Sequence, residues 1–220
     1  MLFRSMPLYE EVSHIPLFIY HPDNSNMSGQ RRRSLTQTID LMPTFLGFYG
    51  VNVPNEVEGH SLLPLLSAEH SIRLAAIFGY WGGGINITDG QYTYFCYPND
   101  MLNQDLYQYT LMPSHMTKMF TVEELKTAVL VKPFNFTKEV PLLKIAHKSK
   151  ADTKTHSFHF PEKMVDTETV LYDLFGDPNQ KNPIIKPSVT DRLNNELFRL
   201  MMQNDAPKEV IDKMKVSLLT

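Results

Sequence analysis

The chain has 220 residues, of which 42% are apolar and 20% are charged, and this composition is typical of a globular protein that can bury a sizeable core. The composition argues against disorder, and no apolar run is long enough for a membrane-spanning helix. A formal net charge of -3 gives no reason to expect nucleic acid as a partner, and the N-terminus shows no export signal. We therefore expect a cytoplasmic protein whose partners include neither nucleic acid nor a membrane.

The first predicted element is a strand at residues 15–20, IPLFIY, which follows a short charged segment. The run is continuous and rich in β-branched and aromatic residues, as in a parallel strand that helices cover on both faces. Pro22 ends it, and a polar loop follows. A strand of this kind normally has much chain before it, whereas this one starts close to the N-terminus.

A helix is predicted next, over residues 38–51. Asp40 can cap its N-terminus, Pro43 suits its first turn, and Gly50 can close its C-terminus. At helical spacing one face of this helix carries four apolar residues, Leu41, Phe45, Leu46 and Tyr49. Residues 60–66 predict a further short helical turn.

The pattern then changes to strands. Residues 74–98 predict a strand, a turn and a strand, and Asp89-Gly90 is a hairpin signal. Residues 105–113 and 140–146 could add strands. Residues 121–130 predict a helix, in which Thr121 and Glu124 have the spacing of a capping box. The polar residues 147–163 show no periodicity and predict a loop.

The C-terminal part returns to helices. Residues 168–180 predict a strand followed by a turn, and residues 206–219 a last short helix. Between them, residues 188–203 predict an amphipathic helix with an apolar stripe of Val189, Leu193, Leu197, Leu200 and Met201. The fold class is therefore α/β passing into α+β: residues 1–72 form the end of an α/β domain, and residues 73–220 form a small α+β subdomain.

Five segments, in this order, resemble the C-terminal portion of sulfatases of the alkaline-phosphatase superfamily. They are YEEVSHIPLFIYHP, TIDLMPTFLGFYGV, EGHSLLPLL, FGYW together with INITDGQYTY, and VLYDLFGDPNQKNP. The resemblance implies the C-terminal part of an alkaline-phosphatase-like α/β/α sandwich, followed by a small antiparallel sheet with helices. It also implies that the sheet neighbours of residues 15–20 come largely from upstream chain.

The resemblance places the family's chemistry upstream of this sequence. The family's nucleophile is a formylglycine, matured in a Cys-or-Ser-x-Pro-x-Arg motif, and its cofactor is a divalent cation, usually calcium. Cys96 stands in CYPND, which departs from that motif, and we interpret it as a small buried hydrophobe. We expect no cofactor and no metal site in this chain, because Asp23, Asp40 and Asp89 lie in three separate segments.

Two residues are candidates for a catalytic role by this resemblance. Arg4 lies near the position of the family's sulfate-binding lysine, and a guanidinium can bind an anion bidentately. His14 stands where many sulfatases have an arginine, although a structural histidine at the entrance of a strand is the alternative.

Three other groups of residues suggest sites, each with a simpler alternative. The arginines at 31–33 suggest an anion site or a solvated turn. His156 and His159 suggest half of a metal clip or an ordinary loop. The glycines at 82–84 lack the lysine and helix of a phosphate-binding loop, and a hairpin loop that lines a substrate cleft in a complete enzyme fits them better.

Three functions are compatible with these features. The first is the C-terminal portion of a sulfatase, inactive alone, whose complete enzyme hydrolyses a sulfate ester. The second is a phosphodiesterase or phosphonate hydrolase of the same superfamily. The third is a non-catalytic interaction module that keeps the scaffold. In each case we expect the chain to self-associate or to bind an N-terminal sulfatase portion, because part of a sandwich exposes apolar area.

Overall fold

The computed structural model of the chain describes residues 8–98, 104–112, 114–115, 117–147 and 168–214. The helices in these ranges are α1 (Glu10–Ser13), α2 (Leu41–Phe48), α3 (Leu63–Ser67), α4 (Val122–Leu125), α5 (Pro187–Gln203) and α6 (Lys208–Met214). The strands are β1 (Ala76–Gly79), β2 (Ile85–Thr88), β3 (Tyr92–Cys96), β4 (Leu106–Thr110), β5 (Val129–Val131), β6 (Leu142–His147) and β7 (Val170–Asp173). No helix of the described part has both the length and the apolar character to span a bilayer.

A four-stranded antiparallel sheet with the order β1-β2-β3-β7 forms the centre of the molecule. The predicted hairpin at Asp89-Gly90 joins β2 to β3 and is confirmed. Gly90 has a φ of 89°, which favours glycine, and the Asp89 carboxylate accepts hydrogen bonds from the backbone N–H groups of Gln91 and Tyr92. The hairpin therefore holds a register that puts Ile87 opposite Tyr94.

Helix α5 covers one face of this sheet. Its predicted stripe is confirmed, since Val189, Leu193, Leu197 and Met201 are buried and pack in one cluster with Ile87, Tyr94 and Leu171 of the sheet. Residues at i, i+4 and i+8 fall on the same side of a helix, so a single face can supply these contacts.

A second, three-stranded antiparallel sheet has the order β4-β6-β5. Both strands that the sequence suggested for this region are confirmed in β4 and β6. The capping box is also confirmed, because Thr121 Oγ1 accepts from the Glu124 N–H while the Glu124 carboxylate accepts from the Thr121 N–H. The predicted helix over residues 121–130 is too long, however: α4 ends at Leu125, and Val129–Val131 pairs with β6 as β5. The β-branched end of that segment favours the strand.

Helix α2 lies within the predicted span, and Gly50 closes it with a φ of 67°. The Val51 N–H donates to the Leu46 carbonyl at 2.8 Å. This is the hydrogen bond of a Schellman motif that spans six residues. The predicted apolar face is uncovered, since Leu41, Phe45 and Tyr49 are exposed. The surface that should cover this helix is not among the described residues.

The predicted strand at residues 15–20 is wrong for this chain, because the segment has no regular secondary structure. Its side chains are exposed, with Phe18 at 91%. The segment just before it is anchored: Tyr9 packs against Phe95 on the second face of the central sheet, and the Glu10 N–H donates to the Gln180 side chain at 2.7 Å. An apolar run becomes a strand only where another strand satisfies its backbone groups, and no strand of the described residues pairs with this one.

A second prediction, that Asp40 caps α2, is also wrong. Its side chain does not cap α2; it accepts from the backbone N–H groups of Gln37 and His60 and from both terminal nitrogens of Arg73, at 2.6 and 2.5 Å. The side chain of Asp40 is 0% exposed and that of Arg73 is 8% exposed. This buried ion pair fastens the start of α2 to the chain just before β1.

The predicted division at residue 72 stays a prediction. Contacts of the described residues cross it: Arg73 binds Asp40, and the Gln37 side chain donates to the Ile77 carbonyl at 2.9 Å. These bonds tie the start of α2 to the edge strand β1.

Candidate functional site

A cleft of about 440 Å³ opens between the loop that joins β1 to β2, strand β4 and helix α6. This volume lies within the range of small-molecule sites. The aromatic residues that line it are Phe78, Tyr80, Trp81, Tyr107 and Tyr109. Three charged residues also line it, Asp105, Glu209 and Lys213. An apolar wall with a few polar groups is the usual composition of a ligand site.

Two hydrogen bonds hold the loop of the cleft against the second sheet. The indole N–H of Trp81 donates to the Tyr107 carbonyl at 3.1 Å, and the Gln104 amide donates to the Gly82 carbonyl at 2.6 Å. The indole also meets the His147 ring edge-on, at 4.7 Å between centroids. Trp81 is still 49% exposed, so its orientation is fixed while much of its surface remains open.

The glycines of this loop leave room for the aromatic side chains. A Cβ atom on Gly83 would lie 2.2 Å from the Tyr80 ring, and Gly82 has a φ of 75°. The structure thus places Gly82 and Gly83 in the lining of the cleft, the kind of position expected for this glycine run. Their small size brings Tyr80 close to the loop backbone.

The Tyr80 hydroxyl is buried and has no hydrogen-bond partner among the described residues. Burial raises the pKa of Tyr80, so the neutral phenol is kept as a donor at neutral pH. A buried polar group without a partner is uncommon in a folded protein. Tyr80 lines the cleft, but its hydroxyl has almost no accessible surface and does not face the open space.

On one wall of the cleft, the negative charge of Glu209 is compensated by the positive charge of Lys144. Lys144 Nζ lies 2.7 Å from the Glu209 carboxylate and 4.1 Å from the centroid of the Tyr107 ring, and the Tyr109 hydroxyl donates to Glu209. Burial alone raises the pKa of Glu209, but the bonds from Lys144 and Tyr109 outweigh it and hold that pKa below its ordinary value. By contrast, Lys213 makes no ion pair within the described part of the chain.

A histidine–carboxylate pair lies outside the lining residues of the cleft. His115 Nε2 is 2.9 Å from Glu124 Oε1, and the capping box holds Glu124 in place. Glu124 and His115 also act electrostatically on His147, whose pKa is lowered, chiefly by burial. A carboxylate can orient an imidazole as a proton donor or acceptor. The sequence carries no local signal that His115 and Glu124 lie close together, so the pair is visible only in the structure.

Apart from the glycine run, none of the selected residues that the structure describes lines the cleft. Arg4, His156 and His159 lie outside the described residues. His14 is exposed at the end of α1, where its Nδ1 lies 2.9 Å from the Glu10 carboxylate, and its proposed role is untested. Of the arginines at 31–33, Arg32 donates to the Leu65 carbonyl at 2.8 Å, a contact that fits a structural turn.

Cys96 is buried, and burial raises the pKa of its thiol to about 11. The thiol is therefore neutral at neutral pH, and only a thiolate is a strong nucleophile. Its packing in the main core cluster confirms the interpretation as a small buried hydrophobe.

The described residues do not fit the divalent cation that the resemblance implies. Within them, no three His, Cys, Asp or Glu side chains form a group that could hold a metal ion. Asp40 is already saturated by Arg73 and two N–H groups, and Asp89 pairs with Arg192 at 2.5 Å. A hard cation needs six or more oxygen ligands.

We therefore expect millimolar calcium to leave the melting temperature of the 220-residue chain unchanged. A ligand that binds only the folded state raises that temperature by mass action, so differential scanning calorimetry with and without calcium checks this prediction. Sodium chloride at equal ionic strength is the control. An increase of several degrees with calcium alone would contradict it.

Comparison with known proteins gives a consistent set of similarities. The profile of the family described as "N-sulphoglucosamine sulphohydrolase, C-terminal" matches residues 2–134. Arylsulfatase K of Xenopus laevis is 46% identical over 66 residues, which are 30% of this chain and 12% of that protein. N-acetylglucosamine-6-O-sulfatase of Bacteroides thetaiotaomicron is 30% identical over 127 residues, which are 51% of this chain and 22% of that protein. The matches thus span less than a quarter of these two relatives.

Two solved structures each align with 80% of the chain. One comes from work on the metabolism of multiple glycosaminoglycans by Bacteroides thetaiotaomicron, with 18% identity, a TM-score of 0.41 and 29% of that chain covered. The other is a complex with D-glucosamine-2-N,6-O-disulfate, with 17% identity, a TM-score of 0.36 and 24% of that chain covered.

Proposed function

Since the chain belongs to the family of C-terminal sulfatase domains described as N-sulphoglucosamine sulphohydrolase, C-terminal, we propose that it serves an enzyme that hydrolyses sulfate esters of sugars. In this proposal the chain is the scaffold against which the catalytic part of the enzyme folds. The family match over residues 2–134 is the main observation that supports this proposal. The names of the relatives, an arylsulfatase and an N-acetylglucosamine-6-O-sulfatase, support the substrate class.

The exposed apolar surface of the chain supports the same proposal. Residues 15–20, α2 and the residue that follows α2 expose a set of large apolar side chains that includes Ile15, Phe18, Ile19, Phe45, Phe48 and Tyr49. We call this set the α2 apolar surface. The His21 ring meets the Phe48 ring edge-on, so the chain that follows residue 20 lies against α2, and exposed apolar area of this kind marks an interaction surface. In a complete sulfatase it would be covered by the part of the enzyme that precedes this chain.

The nucleophile and the divalent cation belong, in this proposal, to that preceding part. The described residues contain a buried neutral thiol at Cys96 and no cluster of metal ligands. Since the nucleophile and the groups that activate it supply most of the rate of such an enzyme, we expect the 220-residue chain alone not to hydrolyse 4-nitrophenyl sulfate. The assay is the release of 4-nitrophenolate, at concentrations of pure chain that would reveal slow turnover.

The same assay on a longer polypeptide tests the proposed function. We expect the chain to show sulfatase activity once it is expressed together with its upstream coding sequence. Hydrolysis of bis(4-nitrophenyl) phosphate instead of the sulfate ester would favour the phosphodiesterase alternative. Inactivity of the longer polypeptide on both substrates would favour the interaction module. Turnover by the 220-residue chain, abolished by a substitution within it, would contradict the proposal.

A further inference from the structure

We infer that the contact between His147 and Trp81 depends on pH: the neutral imidazole packs against the indole, and the protonated imidazole leaves it for solvent. The β1–β2 loop, which forms one wall of the cleft, then loses a side-chain contact in acid. This inference concerns how firmly the loop is held, and it does not depend on the proposed function.

The position of His147 is the first observation. It is the last residue of β6, and it pairs with Leu106 of β4 across the second sheet. Its ring meets the Trp81 indole edge-on, with 4.7 Å between the ring centroids and 90° between the planes. The imidazole therefore lies where the β1–β2 loop meets the second sheet, and a change in its charge acts directly on the contact with the loop.

The second observation is the hydrogen bond of His147 within the sheet. The Gln108 side-chain nitrogen lies 3.2 Å from His147 Nδ1. An amide nitrogen is only a donor, so it needs the lone pair of an unprotonated Nδ1. Protonation places a second donor at Nδ1, and the two N–H groups then face each other. Either the ring or the amide must turn, so protonation weakens the attachment of the ring to β4.

The third observation is the set of charges around the ring. Glu124 of α4 favours the imidazolium, whereas His115 and Lys118, in the segment before α4, oppose it. Residues 80–84 of the β1–β2 loop carry no charged side chain. Burial is the largest effect, so the pKa of His147 lies below its ordinary value. The single favourable carboxylate thus does not offset the cost of protonating the ring in place.

The side chains that lie next to His147 on the sheet add no compensating charge. Gln108 and Leu106 of β4 are its neighbours on the same face, because they are two residues apart and Leu106 is directly opposite His147. Neither carries a charge. Lys144 is three positions before His147 on β6, so it lies on the other face of the sheet, where it pairs with Glu209.

Proton linkage gives the direction of the change. In water the imidazole has a pKa of about 6.5, so it binds the proton more tightly once it has left the indole. The contact is therefore at full strength above that value and weakens as the pH falls below it. The bond from the Trp81 N–H to the Tyr107 carbonyl does not titrate in this range, so we expect the histidine to move while the indole stays.

Trp81 is the only tryptophan of the chain, so its fluorescence reports on this contact. The indole is already 49% exposed, so its quenching by acrylamide should rise by up to about twofold between about pH 7 and about pH 5, where histidine titrates. The emission should shift to the red. The measurement uses concentrations at which the chain is monomeric, and far-UV circular dichroism checks that the fold persists. Weaker emission with neither a red shift nor stronger acrylamide quenching would show that the imidazolium stays on the indole, and would overturn the inference.

Two variants test the role of His147 separately. His147→Gln takes up no proton in this range, so its acrylamide quenching should not change with pH. Gln108→Glu gives the protonated Nδ1–H a carboxylate acceptor, so the imidazolium can stay in place and the rise in acid should be lost or much reduced. His70→Gln, at an exposed histidine before β1, is the matched control and should behave like the unsubstituted chain. A rise in acid that persists in His147→Gln, or that is undiminished in Gln108→Glu, would overturn the inference.

Discussion

Replacing Arg73 with methionine should lower the free energy of unfolding of the chain by about 3–5 kcal/mol, the loss typical of breaking a buried ion pair from one side. Arg73 donates to both carboxylate oxygens of Asp40 and to the Leu35 carbonyl at 3.1 Å. Methionine fills similar space but leaves the Asp40 carboxylate buried without its cation. Urea denaturation measures the change as a lower transition midpoint with an unchanged slope.

The matched control for this variant is Arg199→Met. Arg199 makes a bidentate ion pair with Glu196, but the guanidinium is more than half exposed and the pair lies within α5. Exposed pairs of this type contribute at most about 1 kcal/mol. Equal destabilisation by Arg73→Met and Arg199→Met would show that the Asp40–Arg73 pair is not the anchor described above.

Because of the same ion pair, the free energy of unfolding should fall as the pH is lowered into the acid range. Burial alone raises the pKa of Asp40, but the hydrogen bond from Arg73 and the N–H bonds from His60 and Gln37 outweigh it, so that pKa lies below its ordinary value. A carboxyl group with a depressed folded-state pKa stabilises the fold above its unfolded pKa of about 3.9 and loses that effect as pH falls through the folded value. Arg73→Met should reduce this part of the acid dependence.

The 220-residue chain should form dimers or larger species at micromolar concentration, and Ile15→Asp together with Phe18→Asp should shift them toward the monomer. The reason is the α2 apolar surface, whose burial is favourable by roughly 25 cal/mol per Å². Two aspartates there make burial costly, because a buried unpaired carboxylate is strongly unfavourable. Size-exclusion chromatography with light scattering measures the change in mass.

The chain offers a matched control for this pair of substitutions. Phe175 and Ile185 are a phenylalanine and an isoleucine of comparably high exposure near β7, outside the α2 apolar surface. Phe175→Asp together with Ile185→Asp should leave the association unchanged. A well-folded monomer of the unsubstituted chain, or equal dissociation by both double variants, would contradict the prediction.

The sequence predicts those parts of the fold that depend on short-range contacts. The hairpin at Asp89-Gly90, the Thr121 capping box, the closing Gly50 and the buried stripe of α5 all follow from residues within a few positions of one another. Such signals act through local backbone geometry and helical period, so they do not depend on distant chain. Family membership confirms the resemblance to the C-terminal portion of sulfatases as well.

The predictions that are wrong concern features that depend on residues far apart in the sequence. Residues 15–20 have the pattern of a buried strand, but a pattern reports which side chains need cover and not whether a neighbouring strand is present. Asp40 looks like a helix cap because aspartate favours that position. Its partner Arg73 lies 33 positions away, and no local signal links the two residues.

The cleft was predictable only in part. The glycine run at 82–84 suggested a loop that lines a cleft, and the structure places Gly82 and Gly83 in its lining. The other walls come from β4 and α6, which the chain brings there from far along the sequence. The unpaired Tyr80 hydroxyl is a consequence of packing, and packing between distant elements cannot be read from a single local pattern.

Hydrogen exchange at residues 17–20 tests most directly the claim that the α2 apolar surface is built to be covered by the preceding part of a sulfatase. In the described structure these residues make no backbone–backbone hydrogen bond, so their amides should exchange almost without protection in the 220-residue chain under conditions where it is monomeric. In the longer polypeptide that includes the upstream coding sequence, the same amides should be protected about 100-fold or more, as in a strand within a sheet. Protection of residues 17–20 in the monomeric chain alone, or rapid exchange in both proteins, would contradict the account.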